Sequence, residues 1–195
     1  MLAFKNEKMS IILDCLYKIE TIEEFENFVY ETTKLETVLN PEQYQALLEF
    51  NYKSKDSNQK LEDLIKERIL SEHEFGLWKL RKELIKFGWF QGREFKIANI
   101  NSKKYSEKVL NILKEYGGLK IEKTDKSYRE IEFSDKPFID GDFIFFAITE
   151  KTYVHIGINS KNEYYYCFDI TNEYKYAGNC LKTILAKTLF DEKPW

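Results

Sequence analysis

The sequence predicts an α+β protein, with a mostly antiparallel sheet of about five or six strands flanked by helices and an all-helical N-terminal extension before it. Three observations predict this. Apolar side chains recur at helical spacing through the first 70 residues, and residues 119–170 break into short aromatic and β-branched runs separated by turn residues. Between these regions the two patterns mix, which is the order of an α+β chain and not of alternating βαβ units. The composition, 43% hydrophobic and 16% aromatic over 195 residues, supports a packed core. The boundaries expected are a helical extension over 1–70 and an α+β domain over 71–195.

In chain order, Met9, Ile12, Leu13, Leu16 and Tyr17 form one buried stripe. Thr21 and Glu24 make a capping box that starts a second helix carrying Phe25, Phe28 and Val29. Asn40-Pro41 with Gln43 starts a third, because asparagine caps well and proline at the first helical position loses no hydrogen bond. Asn51 to Lys60 is polar and reads as a loop, followed by a helix bearing Leu61, Leu64, Ile65 and Ile69. Ser71 and Glu74 open a fifth helix that runs to Gly88, and a sixth runs from Tyr105 to the Gly117-Gly118 pair after a strand over 95–100. The strands that follow are 119–122, 128–133, 143–149, 153–158 and 164–170, and a helix closes the chain from Lys175 onward.

Charge and motif content exclude several function classes. A net charge of −3 gives nucleic acid no basic footprint, and no apolar run reaches the ~20 residues of a membrane helix. The start lacks the order of a secretory signal, and three cysteines at unrelated spacings fit buried thiols in a reducing compartment. A cytoplasmic protein is expected. The chain carries no P-loop, dinucleotide fingerprint, C-x-x-C, H-E-x-x-H or nucleophile elbow, so the expectation is no cofactor, no metal and no catalytic residues. The one thiol–imidazole pair on neighbouring strands is Cys167 with His155. With a hairpin loop of two or four residues about Asn159–Asn162, His155 lies opposite Tyr166, and Cys167 points to the other face.

Acids are unevenly placed. Residues 20–49 hold eight against one lysine, and residues 130–150 hold six against one. Such clusters serve as solvated faces or as docking surfaces for a basic protein.

Residues 79–119 carry a further pattern. Leu84-Ile85-Lys86-Phe87-Gly88-Trp89-Phe90-Gln91-Gly92-Arg93 ends one helix, and Leu113-Lys114-Glu115-Tyr116-Gly117-Gly118-Leu119 ends the next. Val154-His155-Ile156-Gly157, the run Tyr164-Tyr165-Tyr166, and Tyr176-Ala177-Gly178-Asn179 follow in order. These blocks resemble the third subgroup of the SUKH superfamily, bacterial immunity proteins with a helix ending in Gly-Trp, an arginine, and an acid-aromatic-Gly-Gly-Leu turn. The resemblance covers about residues 71–195, and Tyr116 stands where phenylalanine is more usual. In structural terms Gly88 and Gly117 are expected at positive φ, Gly118 gives a tight start to the strand at Leu119, and Trp89 seals helix to sheet. Arg93 and Gly157 complete the motif set.

The resemblance implies a cytoplasmic immunity protein that binds a cognate toxin domain, often a nuclease, a deaminase or a related effector, and blocks it without catalysis. An adaptor or regulatory scaffold of the same fold is the alternative, suggested by the acidic segment 20–49. Oligomeric state is left open. The expected partner contacts are Asp135, Phe138, Asp140 and Asp142 with Glu132, in a turn-rich acidic segment between strands.

Overall fold

The structure is a computed structural model that describes residues 11–16, 19, 21–96, 104–124, 127–149 and 154–194. It divides into two compact units, Met1–Lys79 and Leu80–Trp195, with the division falling inside a helix and not at the end of residue 70.

Helices are the only regular elements among the first unit's described residues: α1 (Ile11–Leu16), α2 (Ile22–Glu31), α3 (Lys34–Val38), α4 (Pro41–Leu48), α5 (Ser57–Leu64) and the start of α6 (Glu72–Lys86). Its helix starts follow the expected chemistry. Thr21 with Glu24, Asn40 with Gln43, and Ser71 with Glu74 each exchange side-chain and backbone hydrogen bonds as capping boxes. Leu13, Leu16, Phe25, Val29, Leu47, Leu61 and Ile65 are among the buried residues of its core. Met9 and Tyr17 of the predicted first stripe lie outside the described residues. Helix α5 begins at Ser57, inside the segment read as a loop. Its first turn buries Ser57 and exposes Asn58, Gln59 and Lys60, and it is tied by the Asp56–Lys60 ion pair at 3.0 Å and by Gln59 donating to Asp63 at 3.0 Å. A π-helical turn, Ile65–Ile69, follows directly.

The second unit is a six-stranded antiparallel meander in the order β1 to β6, with α7 (Glu107–Tyr116) and α8 (Leu181–Phe190). The strands are β1 (Lys120–Ile121), β2 (Ile131–Asp140), β3 (Phe143–Thr149), β4 (Val154–Asn159), β5 (Tyr164–Phe168) and β6 (Glu173–Gly178). Ile131, Phe133, Ile156, Ile158, Tyr164 and Tyr166 form a core with Val109, Ile112 and Leu113 of α7 and Ile184, Leu185 and Leu189 of α8. The Tyr166 hydroxyl meets Thr188 Oγ1 at 2.9 Å inside this layer. Burial of these apolar chains, at roughly 1.5–3 kcal/mol for each large one, holds the helices to one face of the sheet.

Three strand assignments differ from expectation. The segment 135–140 belongs to β2 and is not a loop: after Phe133 pairs with Ala147, the ladder is interrupted by Ser134 to Pro137 and resumes at Phe138–Phe145, Ile139–Ile144 and Asp140–Phe143. Pro137 reads as a turn residue in isolation, but a bulge accepts proline because no ladder donor is required there. Residues 173–178 are strand and not the start of the last helix. Glu-Tyr-Lys-Tyr alternates with period 2, and Asn172 at φ 56 turns the chain back from β5. Of the strand expected over 95–100, Phe95 and Lys96 lie outside any strand and 97–100 lie outside the described residues.

The Gly-Trp and Gly-Gly blocks close the two helices. Gly88 takes φ 88, its N–H donates to Ile85, and the Trp89 N–H donates to Leu84 at 2.9 Å, the paired bonds of a Schellman end with buried Trp89 over buried Leu84. Gly117 does not take positive φ; its φ is −48, and Gly118 supplies the left-handed turn at φ 70. Gly117 is required for closeness instead, since a Cβ there would lie 2.5 Å from the Leu113 carbonyl oxygen and 2.8 Å from the Phe95 ring. Arg93 donates to the carbonyls of Glu115 and Gly117 at 3.0 and 2.8 Å, placing a cation at the negative end of α7. Leu119 is buried, and its carbonyl accepts from Phe133 N–H at 2.8 Å, which extends the β1–β2 ladder backwards.

Replacing Gly88 by alanine is expected to cost about 1 kcal/mol through its positive φ alone, because its surroundings are open. Gly157→Ala is expected to cost about 1–3 kcal/mol, since its new Cβ would press into the Phe145 ring at 2.6 Å. Urea denaturation of both variants checks the pair; equal midpoints would contradict the ranking.

Candidate partner-binding face

A sheet packed by helices on one face normally alternates apolar and polar residues along each strand. The strand β3 breaks this rule: Phe143 and Phe145 point away from the helices, while Ile144 and Phe146 contribute to the core. On the far face they meet Phe138 and Asp140 of β2, His155 and Gly157 of β4, Tyr165 and Cys167 of β5, and Tyr174 and Tyr176 of β6.

These side chains form a continuous aromatic array. Phe138 stacks on Phe145 at 4.8 Å, and Phe143 stacks on Tyr174 at 4.5 Å. Tyr165 meets Phe143 edge-on at 5.1 Å and Tyr176 at 5.6 Å, while the His155 ring stands edge-on to Phe138 at 5.1 Å. The array exists because Gly157 lies directly across from Phe145 and has no side chain, so the ring lies down over the β4 backbone. Phe138 remains 47% exposed and Tyr176 52%, which is an unusual amount of ring surface to leave open to water on one face.

Acids border the rings. The Tyr174 hydroxyl donates to Asp140 Oδ2 at 2.9 Å, and this bond, with lesser burial, pushes the phenol up to about 12. His155 Nε2 lies 2.9 Å from Asp169 Oδ2. Next to Phe138 the β2 bulge opens a groove of about 760 Å³, lined in part by Glu132, Asp135, Phe138, Phe145, His155 and Lys120. Glu132, Asp135 and Phe138 of the expected contacts therefore share one groove, and Asp140 lies on the same face beside Tyr174. Asp142 is exposed in the β2–β3 turn, after Gly141 at φ 55.

His155 and Cys167 stand directly opposite each other in the β4–β5 ladder, on the same face, which overturns the register expected from the sequence. The loop between them has an odd length. Asn159 N–H donates to the Glu163 carbonyl at 3.0 Å, leaving Ser160, Lys161 and Asn162 as a three-residue turn with Asn162 in the left-handed region at φ 65. The Asn159 side chain braces it by accepting from the N–H groups of Lys161 and Glu163, and Lys108 of α7 donates to the Asn162 carbonyl. One residue of shift moves every β5 side chain to the opposite face.

Sharing a face does not make a nucleophile. Burial pushes the Cys167 thiol up; a Tyr174 hydrogen bond opposes this, and Asp169 and Asp140 add to it. The residue is only 6% exposed. A reactive cysteine needs the reverse, an accessible sulfur in an electropositive setting that favours thiolate.

The residues missed at the sequence level are Phe143, Phe145, Tyr165, Tyr174 and Asp169. A signal for the first two was present in the run Phe143-Ile144-Phe145-Phe146, where an open sheet face calls for polar residues at alternate positions. Among the described residues no group of three or more His, Cys, Asp or Glu is placed to hold a metal ion, and no helix is long and apolar enough to cross a membrane. Comparison with protein-family models, with curated proteins and with solved structures finds no match to the chain.

Iodoacetamide at neutral pH is expected to alkylate Cys167 roughly tenfold or more slowly than the exposed Cys180, as read by mass spectrometry of the folded protein. Faster labelling of Cys167 would mean an activated thiol on this face.

Proposed function

We propose that this chain is an immunity protein, acting in the cytoplasm by binding a toxin domain through the aromatic, acid-bordered face of its sheet and blocking it without chemistry of its own. The observation that carries this reading is the open ring array of Phe138, Phe143, Tyr165, Tyr174 and Tyr176, set among Glu132, Asp135, Asp140 and Asp169. Aromatic residues dominate the energetics of protein interfaces, because they bury much area for little lost side-chain entropy. Carboxylates around them guide a basic partner into register and raise the rate of encounter. The order of the Gly-Trp, Gly-Gly-Leu and tyrosine-strand blocks, which resembles the SUKH immunity proteins, supplies the kind of partner.

The partner is thus a secreted toxin domain with a basic binding surface, such as one that acts on nucleic acid and must itself attract phosphate. An acidic inhibitor face matches such a surface by charge and covers it by area.

Co-expression with the product of the neighbouring reading frame is the direct test. Rescue of growth by this chain, and a stable complex of the two purified proteins, are the expected results; a toxic neighbour that is neither bound nor neutralised would overturn the reading. Within the complex, Phe138→Ala is expected to weaken binding by about 1–2 kcal/mol, as measured by titration calorimetry. Reversing Asp140 and Asp142 to lysine is expected to slow association and flatten its salt dependence, whereas Gly88→Ala, at a helix end, is expected to leave affinity unchanged.

A further inference from the structure

The groove beside Phe138 has a composition more specific than an apolar cleft. Between Phe133 and Phe138 four residues of β2 loop away from the ladder, while β3 passes through Phe146 alone. The gap exposes ring surface: Phe138 stacked on Phe145 forms one wall, with His155 edge-on to both. Asp135 and Glu132 bring two carboxylates to the same opening, and both are exposed. Lys120 is the cross-strand partner of Glu132 in the β1–β2 ladder, and its exposed ammonium is 3.9 Å from a Glu122 carboxylate. The groove therefore presents flat π faces and carboxylates together, with its one lining lysine beside Glu132 and with Asp135 in the bulge that ends at Phe138.

We propose that this groove takes an arginine side chain of the partner protein, stacked on the Phe138 ring and hydrogen-bonded to Asp135 and Glu132. Guanidinium is the group that satisfies both surfaces at once. It is planar and weakly hydrated, so it stacks on a ring at little desolvation cost, and its fork of N–H donors matches a carboxylate. An ammonium is more strongly hydrated and has no flat face to lay on the ring, and an uncharged anchor would leave the carboxylates without a counter-charge. The apolar walls take the methylene stem of arginine, and a volume of about 760 Å³ leaves space for the neighbouring residues of the partner segment. This inference rests on the reading of the face as a docking surface and names the chemistry at its centre.

The test uses the full chain and small probes, so it does not depend on the toxin. The full chain is titrated with N-acetyl-arginine amide, N-acetyl-lysine amide and N-acetyl-leucine amide, and binding is followed by NMR shifts of the Ser134, Asp135, Phe138 and His155 signals. The expected result is saturable shifts at these positions for the arginine probe, with the lysine and leucine probes several-fold weaker. Phe138→Leu, which keeps an apolar chain but removes the ring, is expected to weaken the arginine probe roughly two- to fivefold, and Phe138→Tyr to restore it. Asp135→Asn is expected to weaken it as well. Equal binding of the lysine probe would reduce the groove to a non-selective acidic patch, preferred binding of the leucine probe would make it an apolar cleft, and shifts elsewhere or none would remove the site; each overturns the inference. Its failure is separable from that of the proposed function. Loss of arginine selectivity with intact toxin neutralisation would refute the groove alone, whereas selective arginine binding without toxin neutralisation would refute the immunity reading and leave the groove standing.

Discussion

Three residues between β4 and β5 decide what the open face is made of. Ser160, Lys161 and Asn162 form a turn whose last member sits at φ 65, and the Asn159 side chain and the Lys108 ammonium hold it there. Asparagine tolerates that left-handed conformation better than most residues, so a three-residue loop is available where a glycine would otherwise be needed. Because the loop is odd, Ile156 pairs with Tyr166 in the core layer and His155 pairs with Cys167 on the far side. Tyr165 then lands beside Phe143, and β6 inherits the same phase through Asn172. A loop of even length would send Tyr164 and Tyr166 outward and bring Tyr165 and Cys167 into the core, and neither the helical layer nor the ring array would assemble as they do.

Two glycines then shape the surface by leaving room. Gly157 lets Phe145 lie over β4, which gives Phe138 a ring to stack against at the mouth of the groove. Gly117 lets Phe95 close on the end of α7, where Arg93 caps the helix and also lies 5.3 Å over the same ring. The motif residues thus act through packing and backbone geometry, and the groove they border acquires its chemistry from Phe138, Glu132 and Asp135. Cys167 shares that face as a buried thiol opposite Tyr174 in the β5–β6 ladder, which is a packing role.

Much of the architecture was legible from local rules, and the failures were specific. All three capping boxes read from the sequence are present, because a cap needs only residues three apart and the backbone between them. The Schellman end at Gly88 is local in the same sense. The bulge in β2 was hidden by Lys136-Pro137, which reads as a turn unless the partner strand is known. Gly117 takes a different task from the one its position suggests, because a Cβ there would meet both the Leu113 carbonyl four residues back and the ring of Phe95, more than 20 positions away in the chain. Within the candidate site, Glu132, Asp135, Phe138 and Asp140 were singled out by composition, whereas Phe143, Phe145, Tyr165, Tyr174 and Asp169 were not, since a ring in a strand looks like core until its face is known.

The sequence by itself determined the α+β class, the three capped helix starts, five of the six strands and the acidic, aromatic character of the β2–β3 region, all of which depend on periodicity and on interactions within a few residues. Tertiary structure alone decided which face each ring occupies and which acids gather around Phe138. The reason is that side-chain direction in a sheet has period 2, so a single residue in a loop or a bulge reverses it, and the energy that selects the register comes from core packing between distant strands and helices.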